Sequence, residues 1–185
     1  ETLRHNLKAR TVVVGANFRF GRAREGDIRY LRTAGAPLGI DTVVVSSVII
    51  DGAPVSSTRI RGLLSEGNVN AAANMLGHAF VLRGSVVIGR QVGRKLGFPT
   101  ANIKVTEKQV LPKAGVYAVK VSVDGRCYRG LCNIGNNPTF NCSEVTVEVH
   151  LLDFNDDIYG KTLDIAFLER IRGEVRFSGP DELIE

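Results

Sequence analysis

Tryptophan is absent from the 185 residues, and no block of lysine and arginine is interleaved with aromatics. That removes the usual stacking-and-phosphate pattern of a nucleic-acid binder. No apolar run approaches the length of a membrane span, and Glu1-Thr2-Leu3-Arg4-His5 has no signal-peptide pattern. We therefore expect neither nucleic acid nor a membrane as a partner. The three cysteines, Cys127, Cys132 and Cys142, are odd in number and form no C-x-x-C pair. This argues against a disulfide framework and for a reducing, cytoplasmic setting. The common nucleotide motifs are missing as well. There is no G-x-G-x-x-G. Gly89 and Gly93 have three residues between them and Arg94-Lys95 after them, where a P-loop has four and then Lys-Ser/Thr. Any nucleotide site here is of another kind. No internal repeat is present, and a formal net charge of +5 leans only weakly toward anions.

What the chain does have is concentrated between residues 89 and 102. Gly89, Gly93 and Gly97 would let backbone N–H groups approach phosphate oxygens, with Arg90, Arg94 and Lys95 supplying charge. Pro99 pushes Phe98 away from helix. If the chain stays extended beyond it, Thr100 and Asn102 project to one side. A hydroxyl and an amide carbonyl side by side suit Mg²⁺ completed by phosphate and water. The same composition also describes a solvated turn between two strands, so phosphate loop and plain turn both stand at this point.

Two textures meet near Gly77, and they predict domains at 1–77 and 78–185. The first is α/β. A strand at 11–14 ends at Gly15. A helix follows over 26–35 with Ile28, Leu31 and Tyr30 facing inward. A second strand covers 41–50. An amphipathic helix through Ile60, Leu63 and Leu64, capped by Ser57 or Thr58, stops at Gly67. A short alanine-rich helix spans 69–75. Two strands and three helices make a poor doubly wound sheet, so we expect residues before Glu1 in the parent protein. The second texture is all-β, with strands at 80–88, 115–123, 127–134, 145–152 and 162–171. Asp124-Gly125 between two of them is a hairpin signal. Five or six strands of this spacing predict a small antiparallel barrel. Pro180-Asp181-Glu182-Leu183-Ile184 reads as the start of a helix.

Val145-Thr146-Val147-Glu148-Val149-His150-Leu151 alternates strictly. The valines and Leu151 belong to the core face, and Thr146, Glu148 and His150 to the other. That other face is either an ordinary polar surface or a cleft with a carboxylate in it. Phosphoryl transfer to an alcohol needs an acceptor for the hydroxyl proton, charge on the phosphates offset, and both substrates held. Glu148 could supply the first, and Thr100 and Asn102 could serve the second.

Three segments carry a family resemblance. They are Arg94-Lys95-Leu96-Gly97-Phe98-Pro99-Thr100-Ala101-Asn102, Asn133-Ile134-Gly135-Asn136-Asn137-Pro138-Thr139-Phe140, and Val147-Glu148-Val149-His150-Leu151-Leu152-Asp153-Phe154. With them the chain resembles, over almost its whole length, the bacterial bifunctional riboflavin kinase/FMN adenylyltransferases, also called FAD synthetases. The resemblance implies that 78–185 is the kinase module, a six-stranded Greek-key barrel with a C-terminal helix. It implies that Thr100 and Asn102 bind Mg²⁺ with the phosphates of ATP, and that Gly84, Gly89, Gly93, Arg94 and Lys95 cradle ATP. It makes Glu148 the general base on the ribityl 5′-hydroxyl, and Arg172 a flavin contact. Riboflavin and ATP would be the substrates, FMN and ADP the products. For 1–77 it implies part of a Rossmann-like nucleotidyltransferase that converts FMN to FAD in the parent protein. Asn17 lies in the nucleotide loop of that module. Ser57, Thr58 and Arg61 lie at a helix N-terminus suited to phosphate. Adenylyl transfer in the family uses an upstream His-x-Gly-His. The histidines here are His5, His78 and His150, none of them in such a motif, so we expect this chain not to complete FAD synthesis. The residues alone leave open a flavin- or nucleotide-binding barrel without turnover, and a basic barrel that binds RNA.

Overall fold

The computed structural model describes residues 2–89, 99–106, 108–139 and 142–174, with backbone only for 136–139 and 142–144. The expected contributions of Gly93, Arg94 and Lys95, and of the C-terminal helix, lie outside the described residues. The chain divides into two compact units, Glu1–Val55 and Ser56–Glu185.

In the first unit, β1 (Thr11–Gly15) and β2 (Asp41–Val45) form a parallel pair, joined by α1 (Ile28–Gly35). Asp27 caps α1, its carboxylate accepting the Tyr30 N–H at 2.8 Å. The helix therefore starts later than residue 26. Ile28 and Leu31 are half-buried, but Tyr30 is exposed rather than inward. The strand expected over 41–50 is broken. β2 stops at Val45, and β3 (Ile49–Ile50) turns back on β4 (Ala53–Pro54). The turn between them is Asp51-Gly52, both at positive φ. It is the same dipeptide signal as Asp124-Gly125, and it outweighs the apolar run before it.

The second unit begins with two helices. α2 (Ser57–Glu66) is capped by Ser56, whose Oγ accepts the Arg59 N–H at 3.3 Å. Neither Ser57 nor Thr58 is the cap, because both already lie in the first helical turn. α3 (Val69–Leu76) follows, capped by Asn68. Leu64, Val69 and Ala72 join the buried cluster of the strands that follow, and α3 packs against two of them. The compact unit thus starts at Ser56, while Gly77 marks where helix gives way to strand.

Those strands are β5 (Phe80–Val87), β6 (Ala101–Lys104), β7 (Gly115–Val123), β8 (Arg126–Thr139), β9 (Cys142–Leu151) and β10 (Thr162–Arg172). They close into a six-stranded barrel in the order β10-β5-β6-β9-β8-β7, every pair antiparallel. β10 returns to lie beside β7, giving the order β10-β7-β8-β9 of a Greek key. Asp124 and Gly125, at φ 49° and 76°, make the two-residue β7–β8 turn. Closure removes the sheet edges and gives alternate side chains one interior. Tyr117, Val121, Leu163, Ile165 and Phe167 are wholly buried there, with Phe167 edge-on to Tyr117 at 5.2 Å. Val147, Val149 and Leu151 of β9 face inward as expected, whereas Val145 near its start is exposed.

Candidate functional site

On the outer face of the barrel a row of mostly polar residues runs across five of its strands. Directly opposed residues in antiparallel strands point to the same face. Asn102 on β6 is opposite Glu148 on β9, and Glu148 is opposite Asn133 on β8. Asn133 is opposite Val116 on β7, and Val116 is opposite Arg172 on β10. Three residues singled out from sequence, Asn102, Glu148 and Arg172, therefore share a single row, although 70 positions separate the first from the last. Thr100 joins them, its Oγ1 lying 3.4 Å from Glu148 Oε2. Carboxylate and hydroxyl meet in one place, and Asn102, Glu148 and Thr100 are each only half-buried.

Local causes place each group. Pro99 has no N–H for the ladder, so β6 begins only at Ala101, and Thr100 sits free of a strand partner just outside it. Gly89 lies directly against Asn102. A Cβ at Gly89 would stand 2.2 Å from the Asn102 amide nitrogen, so the close approach requires glycine. Gly84 is different, and this corrects its assignment to ATP. It is buried inside the barrel, where a Cβ would stand 2.3 Å from Ile103 Cγ2. It allows β5 and β6 to pack closely, and its burial there leaves it no open surface for a phosphate.

Asn133 and Glu174 belong to this neighbourhood, and neither has a role in the sequence reading. A Cβ on Gly135 would stand 2.8 Å from Glu174 Oε1 and 3.5 Å from both Asn133 Nδ2 and Thr146 Oγ1. These polar groups converge over Gly135 next to the row. Nothing in the local pattern around Asn133 announces its neighbour, because register between strands is not a local property.

The far end of β10 is held by Arg170. Its Nη2 donates to the Ala114 carbonyl at 2.9 Å, and its side chain lies against Gly67 and Gly115. Register shifts flank it, between Phe167 and Glu169 and between Arg170 and Arg172. Such bulges re-aim side chains, and the second brings Arg172 opposite Val116. Burial raises the Tyr117 hydroxyl pKa, and the neighbouring Arg170 guanidinium partly offsets this.

A cavity of about 340 Å³ opens beside Thr100. Val86, Val149 and Leu151 supply apolar wall, Phe154 and Tyr159 supply rings, and Asp156 and Asp157 supply carboxylates. Its size falls within the range of small-ligand sites. The groups that Thr100, Asn102 and Glu148 bring to the row are all hard oxygens: one hydroxyl, one amide carbonyl and one carboxylate. They fit a hard divalent cation that takes its remaining ligands from phosphate and water. Among the described residues no group of three or more His, Cys, Asp or Glu could form an all-protein cage.

The remaining predicted residues lie elsewhere. Asn17 is exposed in the turn after β1, in the first unit. Ser57, Thr58 and Arg61 are exposed on the first turns of α2, in the second unit. Among the described residues no helix is long and apolar enough to cross a membrane.

Comparison with known proteins bears on both units. A riboflavin kinase family model matches residues 76–185, and an FAD synthetase family model matches residues 1–59. The bifunctional riboflavin kinase/FMN adenylyltransferase of Escherichia coli strain K12 is 40% identical over 179 residues, covering 96% of this chain and 57% of that protein. Its Bacillus subtilis counterpart is 36% identical, covering 97% and 57%. A crystal structure described as a macrolide-efflux protein from Streptococcus pneumoniae superposes with a TM-score of 0.88 at 34% identity, over 100% of this chain and 60% of that one. The chain thus spans little more than half the length of the curated relatives it matches. The matched stretch 76–185 takes in all six barrel strands and the row on their outer face, and through it this chain belongs to the riboflavin kinase family.

Proposed function

We propose that the barrel transfers the γ-phosphoryl group of ATP to the ribityl 5′-hydroxyl of riboflavin, giving FMN and ADP. The observation that carries this reading is the meeting of Glu148 with Thr100 at 3.4 Å, in the row that also holds Asn102. Glu148 accepts the hydroxyl proton as the oxygen attacks phosphorus, the bond to the bridging oxygen breaks, and ADP leaves with that electron pair. The cavity beside Thr100 takes the adenosine, which brings the phosphates to Thr100 and Asn102. Arg172, at the other end of the row, contacts the flavin. Thr100 and Asn102 would hold Mg²⁺ together with the phosphates. When bound, the ion offsets phosphate charge. Positioning and fixed dipoles supply most of the acceleration, since the protein forms no covalent intermediate.

In the parent protein we assign residues 1–77 to an FMN adenylyltransferase module, with Asn17, Ser57, Thr58 and Arg61 in its nucleotide site, and 78–185 to the kinase module. The support is the family match over 1–59 and the exposed, N-capped start of α2. Both reactions belong in a reducing cytoplasm, which suits the unbridged Cys127 and Cys132.

Incubation of the chain with riboflavin, ATP and Mg²⁺, followed by separation of the flavins, tests the reading. FMN and ADP should appear in equal amounts. Flavin that binds and returns unchanged would reduce the barrel to a binding module.

A further inference from the structure

The ladder between β6 and β9 is the shortest in the barrel. It consists of Ala101 opposite Val149 and Asn102 opposite Glu148. Continued by one residue, it would set Thr100 opposite His150. The ladder cannot extend further through the main chain, because Pro99 has a carbonyl to offer and no N–H. A side chain takes its place. His150 Nδ1 lies 2.8 Å from the Pro99 carbonyl oxygen. A carbonyl only accepts, so Nδ1 carries the proton. His150 stands on the same face of β9 as Glu148, and the carbonyl it grips belongs to the peptide group that leads into Thr100.

We infer that His150 is a positioning residue for the phosphate-binding end of the site. Its imidazole fixes the plane of the Pro99–Thr100 peptide, and through it the place of the Thr100 hydroxyl relative to Glu148. Without the imidazole, the peptide leading into Thr100 loses its hydrogen bond to β9, and among the described contacts only the Thr100 hydroxyl still reaches that strand, at Glu148. The His150–Pro99 hydrogen bond fixes the peptide, and the 3.4 Å bond of the Thr100 hydroxyl to Glu148 then falls in a preset place; preorganisation of this kind appears in affinity. This inference rests on the kinase reading for the identity of the ligand, but the hold of His150 on Pro99 does not.

The experiment compares the whole chain with His150→Leu and His150→Asn. Leucine keeps a branched shape and loses the donor. Asparagine places its amide nitrogen the same number of bonds from Cβ as Nδ1. Two measurements are made: calorimetric affinity for ADP with Mg²⁺, and hydrogen exchange at the amides of Thr100 and Ala101. His150→Leu should weaken nucleotide binding about tenfold and speed exchange at those two amides about tenfold, with β8 and β10 unchanged. His150→Asn should recover most of both losses. In turnover assays the leucine variant should raise KM for ATP with kcat within about threefold of wild type. Wild-type affinity and exchange in His150→Leu would overturn the inference. So would exchange that rises across the whole barrel in both variants, which is what a merely structural role predicts. If the wild-type chain makes no FMN, the kinase reading falls, while exchange at Thr100 and Ala101 still decides the role of His150.

Discussion

Val13, Val43 and Val45 stand 62%, 46% and 51% exposed in the first unit, whereas Val119, Val121, Val147 and Val149 of the barrel are at most 2% exposed. All seven are valines in β-strands, in continuous runs in the first unit and in alternating ones in the barrel. Strand propensity is therefore not what separates the two units; closure is. Six antiparallel strands wrapped on themselves give every inward side chain an interior made by the others. A single parallel pair makes no such interior, and parallel sheets are normally covered on both faces. Closure also produces an outer face whose cross-strand rows are set by the ladder registers, and the candidate chemistry sits on that face. The first unit displays its residue of interest, Asn17, on a turn.

The largest expected effect tests whether the row is catalytic or only polar surface. Glu148→Gln should lower kcat for FMN formation by about 10²-fold or more and leave riboflavin affinity nearly unchanged. Unaltered turnover would return Glu148 to the plain polar face that such alternation usually means. Next comes the valine comparison itself. Val121→Ala should destabilise the barrel by about 2 kcal/mol, from two lost methyl groups and the cavity they leave. Val13→Ala should stay within about 0.5 kcal/mol. Urea unfolding of both variants checks this, and equal losses would break the contrast. Ser56→Ala should remove about 1 kcal/mol, and the loss should appear in the unfolding of the barrel, because α2 is packed into its core. A loss seen only in the first unit would move the boundary back toward Gly77.

The smallest effect concerns two carboxylates. The Arg83 guanidinium, bonded to Asp164 at 2.5 and 2.7 Å, holds that carboxyl below the usual aspartate range. In the first unit, the Tyr30 N–H does the same for Asp27. A depressed folded-state pKa contributes stability above the unfolded value near 4, and that stability is lost as pH falls through the folded value. Acid titration of Asp164→Asn should therefore flatten the barrel's loss of stability below about pH 4 without changing it at neutral pH beyond the small worth of an exposed ion pair. Asp27→Asn should keep its cap and flatten only the first unit. A variant whose acid limb matches wild type would show that its carboxylate is not depressed.

Much of this was legible in the chain. Five barrel strands were located to within a few residues, because period-two alternation and Asp-Gly turns are local signals. The outward facing of Glu148 and Asn102 is legible for the same reason: alternation decides which face a residue occupies. The misreadings share one cause. The strand over 41–50 looked continuous because apolar runs are counted without knowing which partner they meet, and at Asp51-Gly52 the turn won. Gly84 looked like part of a phosphate loop because glycine reads alike beside a ligand and inside a barrel. Ser57 and Thr58 looked like caps because three hydroxyl residues in succession cannot be ranked until one oxygen faces a free N–H. Asn133 stands in a resemblance segment, yet neither it nor Glu174 has a role in the sequence reading, because their neighbours come from other strands.

By itself the sequence determined the facing of most residues on the long barrel strands, the hairpin turn at Asp124-Gly125, and that a hydroxyl, an amide and a carboxylate are available on polar faces. Only the tertiary structure decided that these groups stand abreast. Facing is a property of one strand, repeated every second residue. Meeting depends on the register between strands, which the hydrogen-bond ladders and bulges of the closed barrel settle together.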